Sequence, residues 1–317
     1  MKMKLWIPSL LGSLMTASLF AQKISDQPKA PELSVVSAAG LMGPPEFQAL
    51  PSKPADFRYS YGPNADQFGE LRVPSNTGPH PVAILIHGGC WRADYSTLRD
   101  LAPMADALKA KGIATWNIEY RRLSQSGGGW PGTYLDVGKG ADYLRIIAER
   151  HRLDLSRVIL VGHSAGGHLA MWAASRSRLA AGSPLHVNDP LPIRGVVNLA
   201  GTADMEAFIP FEQDACAESV VEELLGGKPF EVPEHYEQAS AIRRLPIGVS
   251  QILFWGRKDQ VVPMSLGERY INAAKDAGDS VRLIAFPTVG HFEIASPFSV
   301  TWPTIESEIA LLLQKKP

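Results

Sequence analysis

Cysteine is nearly missing from this chain: two residues, Cys90 and Cys216, occur in 317. That excludes a small fold stapled by several disulfides and a four-cysteine zinc site. Net charge is missing as well. Thirty-one Lys and Arg against 32 Asp and Glu leave −1, so there is no electrostatic footprint for nucleic-acid backbone. Beyond the first 20 residues no apolar run is long and unbroken enough to span a bilayer. No internal repeat is visible. What is present is a globular composition, 45% hydrophobic and 20% charged, on a chain long enough to bury a large core.

The N-terminus has its own character. Lys2 and Lys4 precede an apolar stretch, Leu5 to Phe20, broken by Pro8, Ser9, Gly12 and Ser13. This pattern predicts a signal peptide over residues 1–21, with cleavage after Ala21 or Ser18, and export to the periplasm or medium. An uncleaved anchor is the alternative. Residues 22–56 hold six prolines and no amphipathic period, which predicts an extended or mobile leader. The folded domain is expected over 57–317.

From Phe57 onward short apolar runs alternate with helical patterns. Strands are expected at 57–61, 68–73, 82–86, 113–118, 158–161, 196–199, 252–255 and 281–286. Helices are expected near 98–108, 135–150, after Ser164, and at 305–313. The alternation predicts an α/β fold with a mostly parallel sheet covered on both faces, and functional loops at the strands' carboxyl ends. The stretch 202–245 is long for a connection and acidic, and predicts a helical insertion covering a site.

The strongest motif is Gly162-His163-Ser164-Ala165-Gly166, following the apolar run Val158–Val161 and opening a helical segment. This is G-x-S-x-G in the strand–turn–helix context it requires. Such a turn presents the serine hydroxyl above the sheet, and glycines at 162 and 166 remove side chains that would collide across it. The alternative is a capped turn without chemistry.

Together with Ile86-His87-Gly88-Gly89-Cys90-Trp91, this segment resembles the α/β-hydrolase superfamily. The similarity is to esterase/lipase-type members and to arylformamidases, which carry an H-G-G-x-W loop. It covers about residue 70 to the end. A serine nucleophile needs a base and an orienting carboxylate, in the chain order Ser, acid, His. The resemblance implies Asp259, in Gly256-Arg257-Lys258-Asp259-Gln260-Val261-Val262-Pro263, as the acid. It implies His291, in Gly290-His291-Phe292, as the base. Asp204 competes for the acid role but reads as a helix cap. His163 and His168 read as packing residues, and His87 as an orienter of its loop.

The same resemblance implies an oxyanion hole from the N–H groups of Gly89, Cys90 and Ala165. Cys90 stands where lipase-type loops have a third glycine. It is expected as a free, partly buried thiol, with pairing to Cys216 as the alternative. Trp91, Trp130 and Trp255 fall near strand ends and are candidates for a substrate pocket. Gly127-Gly128-Gly129-Trp130-Pro131-Gly132 fits G-x-G-x-x-G, but eight residues separate it from the preceding strand and Pro131 interrupts it. It is expected as a loop near the pocket mouth, not a dinucleotide site. Glu119-Tyr120-Arg121-Arg122 reads as a structural network. No metal, no cofactor, no nucleic-acid partner and no stable membrane insertion after signal cleavage are expected. The functional expectation is a serine hydrolase acting on small carboxylic esters. Its alternatives are an arylformamidase-like C–N hydrolase, a prolyl-oligopeptidase-like peptidase, and a non-catalytic binding relative.

Overall fold

The computed structural model describes residues 40–314. The expected signal segment 1–21 and residues 22–39 of the leader lie outside the described residues.

Eight strands form one sheet in the order β1-β2-β4-β3-β5-β6-β7-β8. They are β1 (Phe57–Ser60), β2 (Phe68–Arg72), β3 (His80–Ile86), β4 (Ala114–Ile118), β5 (Leu153–His163), β6 (Gly195–Leu199), β7 (Ser250–Gly256) and β8 (Val281–Phe286). β1 pairs antiparallel with β2, and β2 with β4; the other pairings are parallel. All residues of β4 and β6 are buried, as are nearly all of β3 and β7. Alternate side chains point to opposite faces, so both faces are covered.

The helices are α1 (Pro44–Gln48), α2 (Ala102–Ala110), α3 (Gly132–Asp142), α4 (Leu144–His151), α5 (Ala165–Ser175), α6 (Met205–Phe208), α7 (Glu212–Cys216), α8 (Val220–Leu225), α9 (Pro233–Ala239), α10 (Met264–Asp276) and α11 (Trp302–Gln314). The single helix expected near 135–150 is two, broken at Tyr143. α5 is predominantly apolar and entirely buried, as a helix between the sheet and an outer layer must be. The outer layer is the insertion, whose helices α6–α9 fall within 202–245. No helix among the described residues is long and apolar enough to cross a membrane.

One expectation is corrected at the N-terminus. Residues 44–50 do not read as an extended leader in the structure. Two prolines open the one-turn helix α1, a position where proline's fixed φ is favourable. Phe47 and Leu50 are buried against the domain. Met42 N–H donates to Glu293 Oε1 at 2.6 Å, and the Phe47 ring packs 5.4 Å from His163 and 5.5 Å from Phe292.

Candidate active site

β5 ends at His163 and α5 begins at Ala165, leaving Ser164 alone at the junction with φ +55° and ψ −123°. Few side-chain-bearing residues adopt such a backbone, and here the surroundings impose it. A Cβ at Gly162 would lie 2.0 Å from the Gly166 carbonyl oxygen, and one at Gly166 would lie 2.0 Å from that of Ile86. Ser164 N–H donates to Leu199 O at 2.9 Å, tying the turn to β6. The serine sits at the N-terminus of α5, where the helix field favours negative charge.

The structure brings Asp259 and His291 together. The Nδ1–H of His291 donates to Asp259 Oδ2 at 2.8 Å, and both side chains are buried. Asp259 Oδ1 accepts from the N–H groups of Val261 and Val262, both at 2.8 Å. The carboxylate is therefore fixed by its own loop, and the imidazole tautomer leaves Nε2 free to accept a proton. His163 lies against His291, with ring centroids 4.6 Å apart. Its Nε2–H donates to the His291 carbonyl at 3.0 Å. Burial, reinforced by His291, holds the His163 imidazole well below its ordinary range, so it is a neutral prop.

The Gly89 loop follows β3. Gly89, Cys90 and Trp91 all have positive φ, +94°, +50° and +56°. At Gly89 the reason is space: a Cβ would lie 2.3 Å from that of Ser96. The N–H groups of Gly89, Cys90 and Ala165 meet no protein acceptor among the described residues. Beneath the loop His87 Nε2 donates to Glu119 Oε1 at 2.8 Å, and Tyr120 OH donates to the His87 carbonyl at 2.8 Å. Burial pushes the Glu119 carboxyl up, but His87, Arg122 and the Leu98 N–H outweigh it and hold it below the usual carboxylate range. The Glu119–Arg122 network is thus a foundation for the loop.

Cys90 is not a free thiol. It forms a disulfide with Cys216 at the end of α7, with Cα atoms 6.0 Å apart, an ordinary span for this bond. The free-thiol expectation failed because pairing is a distance between residues 126 apart in sequence, which local composition does not encode.

A pocket of about 260 Å³, including its mouth, is lined by Cys90, Trp91, Ser164, Ala165, Thr202, Phe208, Cys216, Val261 and Val262. Trp91 lines this cavity. Its Nε1–H donates to His168 Nδ1 at 3.1 Å, and His168 Nε2–H donates to the Ala239 carbonyl at 3.1 Å. Burial above all pushes the His168 imidazole down to about 3, so it is a neutral relay between pocket wall and insertion.

Trp130 and Trp255 are corrections. Trp130 stacks on His235 of α9, with centroids 4.4 Å apart, and its backbone N–H donates to Leu224 O. Trp255 is fully buried under α10, and its Nε1–H donates to Val262 O at 2.8 Å. Packing turned these two indoles away from the pocket; Trp255 supports the loop after Asp259 instead. The Gly127–Gly132 loop folds on itself, with the Cβ positions of Gly128 and Gly132 1.8 Å from the carbonyl oxygens of Arg122 and Gly127. Asp204 caps α6 and pairs with Arg269.

Thr202, Phe208, Val261 and Val262 escaped sequence reasoning as pocket residues. The two valines had a signal, since they follow Asp259 with only Gln260 between. Phe208 and Thr202 had none beyond membership of the insertion.

The strand order, the sharp turn at Ser164 and the loop after β3 define an α/β-hydrolase fold of the esterase/lipase type. Within that class the chain belongs to the BD-FAE family, whose model matches residues 71–272. Esterase LipC of Mycobacterium tuberculosis (strain ATCC 25618 / H37Rv) is 24% identical, over 95% of this chain and 79% of the relative. The probable isoprenylcysteine alpha-carbonyl methylesterase ICME of Oryza sativa subsp. japonica is 23% identical over 74% of this chain, which spans 57% of that relative. Among solved structures, a truncated form of a carbohydrate esterase from gut microbiota superposes with a TM-score of 0.68 at 22% identity, over 81% of this chain and 95% of that one. Esterase B from Lactobacillus rhamnosis (HN001) gives 0.68 at 18% identity, over 84% and 90%.

Proposed function

We propose that this chain is an exported serine esterase of small carboxylic esters, with Ser164 as nucleophile, His291 as base and Asp259 as its orienting acid. The observation that carries the reading is the buried Asp259–His291 hydrogen bond in a site whose serine is held at a left-handed strand–helix turn. The esterase names of the relatives support it.

Ser164 Oγ attacks the acyl carbon while His291 Nε2 takes its proton. Charge gathers on the carbonyl oxygen and is met by the N–H groups of Gly89, Cys90 and Ala165. A donor of this kind is worth about 10²–10³ in rate. His291 returns the proton to the leaving alcohol. Water, activated by the same imidazole, then releases the acid from the acyl-enzyme. The disulfide supports the export part of the reading, since such bonds persist in oxidising compartments.

The test is turnover of p-nitrophenyl acetate, p-nitrophenyl octanoate and N-formylkynurenine by wild type and Ser164→Ala. The expected result is ester hydrolysis that falls by about 10⁵ or more in the variant, with fluorophosphonate labelling of wild type alone. Turnover of the formamide alone would move the chemistry to C–N cleavage. Unlabelled Ser164 and no turnover would favour a binding protein.

A further inference from the structure

The pocket beside Ser164 has an unusual wall. Cys90 and Cys216 both line it, and Cys90 is also one of the residues whose N–H faces the reacting carbonyl in the proposed mechanism. One covalent bond therefore joins the oxyanion loop to the insertion across the space next to the nucleophile. Trp91, Phe208, Val261 and Val262 are the bulky apolar members of the rest of the wall, which Ala165 and Thr202 complete. The enclosed part of the pocket admits little more than a water-sized group. A pocket this narrow beside the nucleophile suits the acyl substituent, which stays bonded to Ser164 through the second half of the reaction. The leaving group needs a path to water.

We propose that the Cys90–Cys216 disulfide is the specificity-determining wall of the acyl pocket, confining the acyl group to acetyl-sized chains and holding the Cys90 N–H in its oxyanion position. This rests on the reading of Ser164 as nucleophile. The junction has other ties. Tyr95 OH donates to the Cys216 carbonyl at 2.8 Å, and Arg92 pairs with Glu218 and Glu223. Opening the disulfide therefore loosens the wall locally while these contacts keep the insertion docked.

The experiment measures kcat and KM for p-nitrophenyl acetate, butyrate and octanoate. It compares full-length mature wild type, wild type reduced with dithiothreitol, and Cys216→Ala. In the reduction the dithiol gives two electrons to the S–S bond, which breaks to two protonated thiols while the dithiol closes to its cyclic disulfide. Thiol titration counts the two thiols, and near-UV circular dichroism reports retained packing. Reduced wild type keeps the test valid if Cys216→Ala does not fold.

Wild type is expected to prefer acetate over octanoate by about 100-fold or more in kcat/KM. Roughly tenfold discrimination at each of just two excluded methylenes already gives that ratio. With the bond open, the octanoate-to-acetate ratio should rise about tenfold, and kcat for acetate should fall about tenfold as one oxyanion donor loosens. A folded, fully reduced enzyme with an unchanged ratio overturns the inference while leaving the esterase reading intact. A wild type that prefers octanoate does the same. No ester turnover by wild type overturns both.

Discussion

At the scale of single residues the site is held by contacts that leave little latitude. The carbonyls packed around Gly162 and Gly166 leave no space for Cβ atoms, and the strained Ser164 backbone depends on both. Gly166→Ala is expected to displace the turn and lower kcat by at least about 100-fold, as a misplacement of about 1 Å does elsewhere, read by steady-state kinetics. Asp259 acts through geometry. Its three hydrogen bonds come from His291, Val261 and Val262. Asp259→Asn keeps the shape but presents an amide to His291, favouring the wrong tautomer, and kcat should fall by about 10⁴. Trp255→Phe removes the donor to the Val262 carbonyl and leaves that oxygen buried without a partner. Urea unfolding should register a loss of about 1–3 kcal/mol, and an unchanged midpoint would show that the indole hydrogen bond is dispensable.

At the scale of elements, legibility followed burial. The central strands are covered on both faces, so they read as near-continuous Val, Ile, Leu and Ala runs, and their places were visible in the sequence. The serine turn was legible because its glycines and flanking apolar run are local. Residues 41–50 were not, since their contacts are with Glu293, Phe292 and His163, far away in the chain. Three isolated apolar side chains among prolines carry no period. The segment buttresses the loop bearing His291: Glu293 receives Met42 N–H on one carboxylate oxygen and Gly290 N–H on the other. Phe47→Ala is expected to cost about 3 kcal/mol by leaving a cavity and to lower kcat several-fold with KM little changed. Thermal melts and kinetics on the same preparation check it. A destabilised variant with wild-type kcat would limit the segment to packing. Trp130 and Trp255 escaped for a related reason: a strand-end position fixes where an indole starts, while α9 and α10 decide where it points.

For the molecule as a whole, the balance of charge at the surface contrasts with the neutral histidines inside. His163 and His168 lie on either side of Ser164, fully buried, and burial depresses both imidazoles, His168 to about 3 and His163 well below its usual value. Each ring already uses its single N–H on a carbonyl, from His291 and Ala239 respectively. In the unfolded chain both titrate near 6.5. Between that pH and the folded values the unfolded state binds more protons, so stability rises with pH. The contribution is complete above about pH 6.5 and is lost as pH falls, for His168 towards its folded value of about 3. For His168 this amounts to about 2 kcal/mol between pH 7 and pH 5, and His163 acts in the same direction. Urea unfolding across that range should therefore show a marked decline, and His168→Gln should flatten its slope while lowering stability at pH 7. The two effects separate because the hydrogen bonds from Trp91 and to Ala239 act at every pH, whereas the proton-linked part acts only where the unfolded imidazole gains a proton. If the slope of His168→Gln equals that of wild type, the acid sensitivity belongs to other groups, and His168 is a relay with no part in it.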